Sequence, residues 1–279
     1  MTKNLADFDF ETGEVLLLDK PLTWTSFDVV RKVKNALRIK KIGHAGTLDP
    51  LATGLLILCT GKKTKDIDQI QAQEKEYTGT FRLGETTPSF DLETAVDLVR
   101  PYAHLTPEEI TAATAPFIGL IEQTPPLFSA VKIDGKRAYE LARSGQDAVI
   151  KSKNVEIKTF ELTRIALPEI DFRVVCSKGT YIRSLARDLG QALGCGAHLT
   201  RLIRTRIGEY RVEDAFSVAS IEALRPPRPE GLPIRPERPR TTPNRTGLQY
   251  FAALQADALA AQQHQAPDMA TTPPAGSPD

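Results

Sequence analysis

The sequence predicts an α+β fold, because patterns typical of strands and of helices both recur between residues 10 and 225. Residues 14–19 (EVLLLD) form a short apolar run of the kind that builds a buried strand. Residues 181–193 carry apolar side chains at helical spacing. After residue 225 the composition changes, and 11 of the 20 prolines fall in residues 226–279. The folded body is therefore expected to end near residue 225.

The N-terminal part of the body is predicted to be a strand, a helix and a loop that leads into a second strand. The first strand ends at Lys20-Pro21, because proline donates no backbone hydrogen bond. Ser26 is the predicted N-cap of an amphipathic helix that runs to about Leu37. Residues 43–54 are rich in turn formers and precede the apolar run 55–59, which predicts a loop that feeds a strand.

The remainder of the body is predicted to hold three more strands and three helical segments. Alternating or continuous apolar patterns predict the strands, and apolar residues at helical spacing predict the helices. The strands are expected at residues 77–83, 155–165 and 171–177, and the helices at residues 107–118, 138–144 and 181–193. Pro125-Pro126 and Asp134-Gly135 predict a break and a turn between these elements.

Residues 226–279 are predicted to be a disordered, Pro-rich tail. They end in a stretch of Ala, Gln, Thr and Pro with few large apolar residues, which cannot bury enough surface to offset the entropy of ordering the chain. We therefore expect one folded body, residues 10–225, followed by this tail.

The charge of the chain is balanced, with 36 basic and 35 acidic residues, but the basic residues are clustered. Clusters of this kind indicate either a face that binds a polyanion or the solvated sides of helices. The three clusters are Arg31, Lys32, Lys34, Arg38, Lys40 and Lys41; Lys62, Lys63 and Lys65; and Arg201, Arg204, Arg206 and Arg211.

The composition does not favour a membrane protein or a metalloprotein. No segment reaches the roughly 18 continuous apolar residues that a membrane helix needs, and residues 1–14 carry more acid than base and no apolar run. We therefore expect a cytoplasmic protein. The three cysteines lack CxxC spacing, and His104 and His198 have no partners at ligand spacing, so neither disulfides nor a metal are expected.

The densest group of chemically useful residues is GHAGTLDPLATG, residues 43–54. Its three glycines allow close approach of the backbone, and Pro50 stiffens the chain directly after Asp49, so the loop would hold this carboxylate rigidly. A phosphate-binding loop of the form GxxxxGK[ST] is excluded, because Leu56 and Lys63 stand where it requires Gly and Ser or Thr. From the residues alone, Asp49 is either a catalytic carboxylate or an ordinary acceptor in a turn.

Five segments in order resemble the bacterial tRNA pseudouridine-55 synthases of the TruB family. The segment GHAGTLDPLATGLL resembles the family's signature loop, in which the Asp of TLDP is catalytic. The other segments are LLLDKPLTWTS, EYTGTFRLGETT, PPLFSAVKIDGKRAYELAR and CSKGTYIRSLARDLG. The resemblance covers nearly all of residues 13–218. It implies a pseudouridine synthase fold, with a mixed, largely antiparallel sheet flanked by helices, a catalytic domain at residues 10–225 and an RNA-gripping insertion at about residues 124–153.

The resemblance also implies which residues form the site. Asp49 is implied to be the catalytic carboxylate, Arg183 its cationic partner, and Tyr181 the residue that moves a proton during the rearrangement. Four further residues are implied to act on the substrate or to support the loop: Tyr77 stacks on the flipped uracil, Leu202 lines the pocket, His44 contacts the RNA, and Lys20 lies beneath the loop.

The implied reaction breaks the C1′–N1 bond of a uridine, turns the base, and joins C5 to C1′. An ionised carboxylate can attack C1′, add to C6 of the base, or assist an elimination, and the sequence leaves these three routes open. No redox or hydride step is required, so no cofactor is expected.

The implied function is the isomerisation of uridine-55 in the T-loop of tRNA by a monomeric enzyme that binds the T-arm and needs no protein partner. Two alternatives remain open: a chaperone that remodels tRNA without chemistry, and a relative that acts on rRNA or at snoRNA-guided sites with partner proteins. Two features depart from many relatives. Residues 85–94 (ETTPSFDLET) replace an RTDTxD-like sequence, and a C-terminal PUA-like domain is not recognisable in residues 226–279.

Overall fold

The computed structural model describes residues 5–129, 131–133, 136–138 and 150–224. Within these residues ten strands form one mixed sheet with helices packed against it, which confirms the predicted α+β class. The tail predicted at residues 226–279 lies outside the described residues, as does the helix predicted at residues 138–144 apart from its first residue. None of the described helices is long and apolar enough to span a bilayer.

The described elements are strands β1 to β14 and helices α1 to α5. The strands are β1 (Val15–Lys20), β2 (Ile42–His44), β3 (Ala52–Thr60), β4 (Lys75–Leu83), β5 (Glu85–Thr86), β6 (Leu98–Val99), β7 (Gly119–Gln123), β8 (Lys132–Ile133), β9 (Lys136–Arg137), β10 (Lys153–Ala166), β11 (Glu169–Cys176), β12 (Ala197–Ile207), β13 (Tyr210–Arg211) and β14 (Phe216–Ser217). The helices are α1 (Ser26–Ala36), α2 (Ile67–Ala72), α3 (Pro107–Ala112), α4 (Ile182–Ala192) and α5 (Val218–Ala223).

The large sheet has the strand order β14-β1-β3-β12-β4-β11-β10-β7, with β2 paired to β3 and β13 paired to β12. The pairs β1/β14 and β3/β12 are parallel, and the other described pairs of this sheet are antiparallel. Strand β12 enters late in the chain between β3 and β4. Its register places Arg204 opposite Tyr77 of β4 and Leu202 opposite Ala52 of β3.

The strands predicted at residues 14–19, 77–83, 155–165 and 171–177 correspond to β1, β4, β10 and β11. The helix predicted at residues 107–118 is too long, because α3 ends at Ala112 and a 3-10 turn, Ala115–Phe117, follows. Pro116 lies in that turn, and proline disfavours continued helix in the residue before it.

The loop predicted at residues 43–54 is shorter than expected, because β2 and β3 pair on either side of it. Strand β12 was not predicted. Its pairing with β4 shifts register between Leu199 and Arg201 and again between Arg204 and Arg206. Each bulge adds a residue to one strand and so interrupts the period-two pattern that would identify it.

The N-cap of helix α1 lies one residue earlier than predicted. Thr25, and not Ser26, is the N-cap: its hydroxyl accepts from Asp28 N (3.0 Å) and its own N donates to the Asp28 carboxylate (3.2 Å), which forms a capping box. The Ser26 hydroxyl instead accepts from Leu48 N (2.9 Å) and donates to Leu48 O (3.2 Å). The start of α1 is thereby tied to the residue before Asp49.

Apolar side chains bury both faces of the central strands. Helix α4 packs against β12, and beside it Phe81 and Phe172 stack with ring centroids 4.1 Å apart. Helices α1 and α5 pack over β1 and β3, where Leu16 and Leu56 are fully buried. The loop between β2 and β3 therefore stands on a close-packed and rigid support.

Candidate active site

A cavity of about 830 Å³ lies between the loop that precedes β3, strands β4 and β12, and the start of α4. Its volume falls within the roughly 300–1,000 Å³ of typical ligand sites. Five of the seven predicted site residues line it: Asp49, Tyr77, Tyr181, Arg183 and Leu202. Asp49 and Leu202, which are 153 residues apart in the chain, thus meet in one place because the sheet order brings β3, β12 and β4 together.

Asp49 forms an ion pair with Arg183 at the wall of this cavity. Arg183 Nε lies 2.9 Å from Asp49 Oδ2. The Nε–H group is not aligned on an acceptor among the described residues, so the contact is one between charges and not a linear hydrogen bond. The Arg183 side chain is 4% exposed and that of Asp49 is 39% exposed. The carboxylate therefore remains accessible to a substrate while its partner is enclosed.

The buried guanidinium of Arg183 is held on its other sides by backbone carbonyls and a second carboxylate. Nη1 donates to Ser89 O (3.3 Å) and Nη2 donates to Phe128 O (2.9 Å). Nε lies 3.6 Å from Asp91 Oδ2. Burial alone would lower the pKa of Arg183, but Asp49 and Asp91 raise it above its ordinary value. Arg183 is thus a fixed positive charge shared by two carboxylates.

Asp91 is a site residue that the sequence analysis missed. It is buried, and this burial raises the pKa of its carboxyl to about 6, against the opposing effect of Arg183. Phe90, directly before it, has a φ of 60°, which is unusual for a bulky residue. This turn aims Asp91 at Arg183. Because an Asp in a turn with Ser and Pro is commonplace, the sequence carries no signal that would have identified it.

Lys20 lies beneath the loop that carries Asp49, the position that the family resemblance implies. Its fully buried Nζ donates to the carbonyl oxygens of Pro21 (3.0 Å), Trp24 (2.6 Å) and Pro50 (3.2 Å). Three acceptors match the three protons of an ammonium group. Burial lowers the pKa of Lys20 to about 7, and the charge of Asp49 opposes this shift. Lys20 does not line the cavity and acts on the loop from below.

Arg204 does not face solvent, so neither interpretation of its basic cluster, a polyanion-binding face or the solvated side of a helix, holds for this residue. It is 1% exposed, and its guanidinium donates to the carbonyl oxygens of Leu55 (2.8 Å), Thr47 (3.3 Å) and Gly46 (3.2 Å). Leu202, which was predicted to line the pocket, lies two residues earlier on the same face of β12. Recognition of β12 as a strand would have placed both side chains on the cavity side, because alternate residues share a face.

Two tyrosines complete the wall. Tyr77 is almost fully buried, and burial raises the pKa of its phenol, against the charge of Arg204. Tyr181 is the N-cap residue of α4, and burial raises the pKa of its phenol as well. The Lys153 ammonium lies 4.8 Å from the centroid of the Tyr181 ring. Both phenols are therefore protonated at neutral pH.

The start of the predicted insertion is anchored to α4. The Gln123 side chain accepts from Tyr181 N (2.8 Å) and donates to Tyr181 O (3.2 Å). The Ser184 hydroxyl donates to Thr124 O (2.8 Å). Of the insertion predicted at about residues 124–153, residues 130, 134–135 and 139–149 lie outside the part of the chain that the structure describes.

His44 is not brought into the cavity wall. It ends β2, where it pairs with Leu58 of β3, and its side chain is partly buried. Burial, with the nearby charge of Arg204, lowers the pKa of its imidazole. The predicted contact of His44 with RNA stays a prediction. Among the described residues no group of three His, Cys, Asp or Glu side chains is placed to hold a metal ion.

Comparison with known proteins shows similarity to one family over most of the body. The family model for the N-terminal domain of TruB family pseudouridylate synthases matches residues 34–182, and the model for the C-terminal domain of tRNA pseudouridylate synthase B matches residues 183–226. The chain is 59% identical over 218 residues to tRNA pseudouridine synthase B of Phocaeicola vulgatus, which covers 76% of this chain and 93% of the relative. It is 56% identical over 221 residues to the protein of that name from Flavobacterium johnsoniae, which covers 77% and 96%.

Two solved structures show a similar fold at lower identity. A chain of a Cbf5-Nop10-Gar1 complex is 32% identical with a TM-score of 0.59, and the match covers 75% of this chain and 53% of that one. A chain of the archaeal box H/ACA sRNP Nop10-Cbf5 complex is 26% identical with a TM-score of 0.58, and the match covers 80% and 56%. The present chain thus spans little more than half the length of these two structural relatives.

Proposed function

This chain belongs to the TruB family of pseudouridylate synthases, and from that membership we propose that it isomerises uridine-55 in the T-loop of tRNA to pseudouridine with Asp49 as the catalytic carboxylate. The observation that supports this assignment most strongly is the ion pair of Asp49 with the buried Arg183 at the wall of a cavity. Tyr77, Tyr181 and Leu202 stand around the same cavity and supply an aromatic face, a phenol and an apolar wall.

Asp49 has the charge and the accessibility that the reaction requires. Cleavage of the C1′–N1 bond needs either stabilisation of positive charge at the sugar or addition of a nucleophile, and an ionised carboxylate serves both. Arg183 approaches Oδ2, and among the described residues Oδ1 has no ion-pair partner. We therefore assign Oδ1 as the oxygen that meets the substrate. This assignment is compatible with attack at C1′, addition at C6, and assisted elimination.

The rest of the cavity suits a base that has left its stack. A flipped uracil needs an aromatic or apolar surface in place of its lost neighbours, and Tyr77 and Leu202 provide such surfaces at the wall. After C5 joins C1′, the C5 proton must leave. We assign this proton transfer to Tyr181, whose phenol lines the same cavity as Asp49. The phenol gives its proton to N1 of the uracil once the C1′–N1 bond is broken, and the resulting phenolate, which the nearby Lys153 ammonium favours, takes the proton from C5.

The comparisons favour a tRNA-modifying enzyme over both alternatives. Relatives that are 56–59% identical and covered over 93–96% of their length carry the name tRNA pseudouridine synthase B, which disfavours a chaperone without chemistry. The chains from Cbf5 complexes are 26–32% identical and are covered over only 53–56% of their length. A role at guided sites with partner proteins is therefore supported less well than action on tRNA. We propose that the protein binds the T-arm as a monomer.

Tritium release from tRNA labelled at C5 of uridine tests this proposal directly, because isomerisation expels that hydrogen and binding alone does not. Purified wild-type protein should release tritium without any added cofactor, and sequencing should locate the pseudouridine at position 55. Asp49→Asn keeps the shape of the side chain but not its charge, so turnover should be abolished while tRNA binding stays within about threefold, a change of less than 1 kcal/mol.

Asp68→Asn is the matched control, because Asp68 is an exposed carboxylate of α2 at the rim of the same cavity. It should retain wild-type turnover. Wild-type turnover by Asp49→Asn, prepared from a host that lacks its own enzyme of this kind, would contradict the assignment of Asp49. Binding of tRNA by the wild type without tritium release would favour the chaperone instead.

A further inference from the structure

One buried charge beside the cavity has no role in the mechanism described above. Arg204 is 1% exposed in the centre of the sheet, between β3 and β4. A guanidinium is tolerated in such a place only when its donors are satisfied. Among the described residues no carboxylate lies at ion-pair distance from Arg204, and backbone carbonyl oxygens take its hydrogen bonds instead.

These carbonyls belong to both ends of the loop that carries Asp49. Nη2 and Nη1 of Arg204 donate to Gly46 O (3.2 Å) and Thr47 O (3.3 Å), three and two residues before Asp49. Nε donates to Leu55 O (2.8 Å), which lies on β3 after the loop. One planar group thus closes the loop across its base. The side chain of Asp49 takes no part in this network, and its Oδ2 contacts Arg183 instead.

The backbone of Arg204 also holds the far end of the loop. Gly54 has a φ of 95°, and a Cβ atom at this position would lie 2.4 Å from Arg204 O and 2.9 Å from Arg204 N. Such distances are incompatible with any side chain, so β3 and β12 approach here as only glycine permits. Both the main chain and the side chain of Arg204 therefore fix the segment that follows Asp49.

The same residue also contacts the proposed stacking surface. Arg204 of β12 and Tyr77 of β4 are directly paired across the two strands. The charge of Arg204 acts on the Tyr77 phenol and opposes the rise in its pKa that burial causes. Arg204 is thus in contact with Tyr77 on one side and with the Asp49 loop on the other.

We propose that Arg204 is a positioning residue, which sets the place of Asp49 relative to the uracil on Tyr77 by joining the catalytic loop to the central strands. This inference rests on the proposed function. It assigns no contact between Arg204 and the RNA. The planar fork is required, because Leu55 O, Thr47 O and Gly46 O are each met by a different nitrogen of the guanidinium, and the single nitrogen of a lysine cannot occupy all three places.

The test compares Arg204→Lys with Arg206→Lys in single-turnover tritium release and in tRNA binding. Arg206 is a suitable control, because it lies on the same strand but pairs with Glu74 (2.8 Å) and Glu76 (3.7 Å) and not with the loop. We expect Arg204→Lys to lower the rate constant by about 100-fold, the effect of a displacement of about 1 Å at a reacting centre. Affinity for tRNA should change by less than about threefold, and Arg206→Lys should match the wild type in both.

Two further measurements separate positioning from a general effect on the fold. Thermal unfolding of each variant sets an assay temperature at which it is fully folded, so a loss of rate there is not a loss of folded protein. In Arg204→Ala, added methylguanidinium should restore part of the rate, because it can enter the space left between the carbonyls. No such rescue is expected for Arg183→Ala at the same concentration, because the ion pair with Asp49 needs a guanidinium that the chain holds in place.

Three outcomes would overturn the proposal. The first is a folded Arg204→Lys with nearly the wild-type rate, and the second is a variant that loses tRNA affinity but keeps its rate at saturation. The third is a set of variants that do not fold at any temperature, which would make Arg204 a folding residue. The wild type serves as the reference for the proposed function. If it releases no tritium, the proposed function fails and this inference fails with it, whereas an active wild type with no effect at Arg204 contradicts this inference alone.

Discussion

Replacement of Arg183 by lysine should remove catalysis and weaken the fold at the same time. The guanidinium makes four contacts: with Asp49, with Asp91, and with the carbonyl oxygens of Ser89 and Phe128. A lysine ammonium at this depth can face one of the two carboxylates but has no second arm for the carbonyls. The charge is retained, so the change isolates the geometry of the fork.

The loss of stability follows from the contacts that disappear. Two hydrogen bonds to buried carbonyls are lost at a net cost of about 1 kcal/mol each, and more where the carbonyl stays unsatisfied. The free energy of unfolding should therefore fall by about 2–4 kcal/mol. The single-turnover rate should fall by at least about 100-fold, because Asp49 loses the partner that fixes its position. Binding of tRNA should be nearly unchanged, since Arg183 is enclosed.

Urea unfolding with linear extrapolation measures the first quantity, and single-turnover tritium release measures the second. Arg187→Lys is the control: Arg187 lies one turn further along α4, is 26% exposed, and pairs with Asp188 at 2.7 Å. It should be within about 1 kcal/mol of the wild type, because its pair with Asp188 is only partly buried and lysine keeps the charge. An Arg183→Lys variant with a rate within fivefold of the wild type would refute the reasoning about fork geometry.

Two further predictions concern pH and salt. Burial raises the pKa of Asp91 to about 6 from its ordinary 3.8, so between these pH values the folded protein holds a proton that the unfolded chain releases. Acidification through this window should therefore stabilise the wild type relative to Asp91→Asn. Urea unfolding of both proteins from pH 7 to pH 4 measures the difference in their free energies of unfolding, and a difference that stays constant would contradict the prediction. The basic cluster of α1 and the residues after it is expected to bind phosphates. Lys34→Gln and Lys41→Gln, which change exposed residues, should therefore each reduce the slope of log affinity against log salt concentration by about 0.7–0.9, with little change in kcat. Arg31→Gln should have a smaller effect, because Arg31 already pairs with Asp28 at 2.9 Å, and filter binding that shows no dependence on salt would exclude this electrostatic account.

The strands with clear apolar patterns could be predicted from the sequence, because their alternation reflects one buried face. Strand β12 could not, since its two irregularities of register break the pattern and its arginines have the composition of a surface. Its burial depends on its neighbours β3 and β4, which no local window contains. The structure of the tail remains a prediction.

For the site, the signature segment and the family resemblance pointed to Asp49, Tyr77, Tyr181, Arg183 and Leu202, and the structure brings all five to one cavity. Asp91 and Arg204 escaped prediction for a different physical reason. Their position depends on a turn with a left-handed residue and on a strand inserted between two others, and neither feature is encoded in a spacing. The clustering of basic residues was misleading at Arg204, because the sequence alone does not distinguish a buried arginine from a solvated one.

The late insertion of β12 also determines when, during its synthesis on the ribosome, the chain can become an enzyme. A nascent chain that has reached residue 196 contains Asp49, Tyr77 and Arg183, but β3 and β4 are not paired with each other in the described sheet. Before β12 is present, β3 and β4 each have an unpaired edge at the place that β12 fills, and such edges recruit other strands. Residues 197–207 fill the gap and bring Leu202 and Arg204 with them. An incomplete translation product therefore carries Asp49, the proposed catalytic carboxylate, and yet lacks the part of the cavity wall that Leu202 forms.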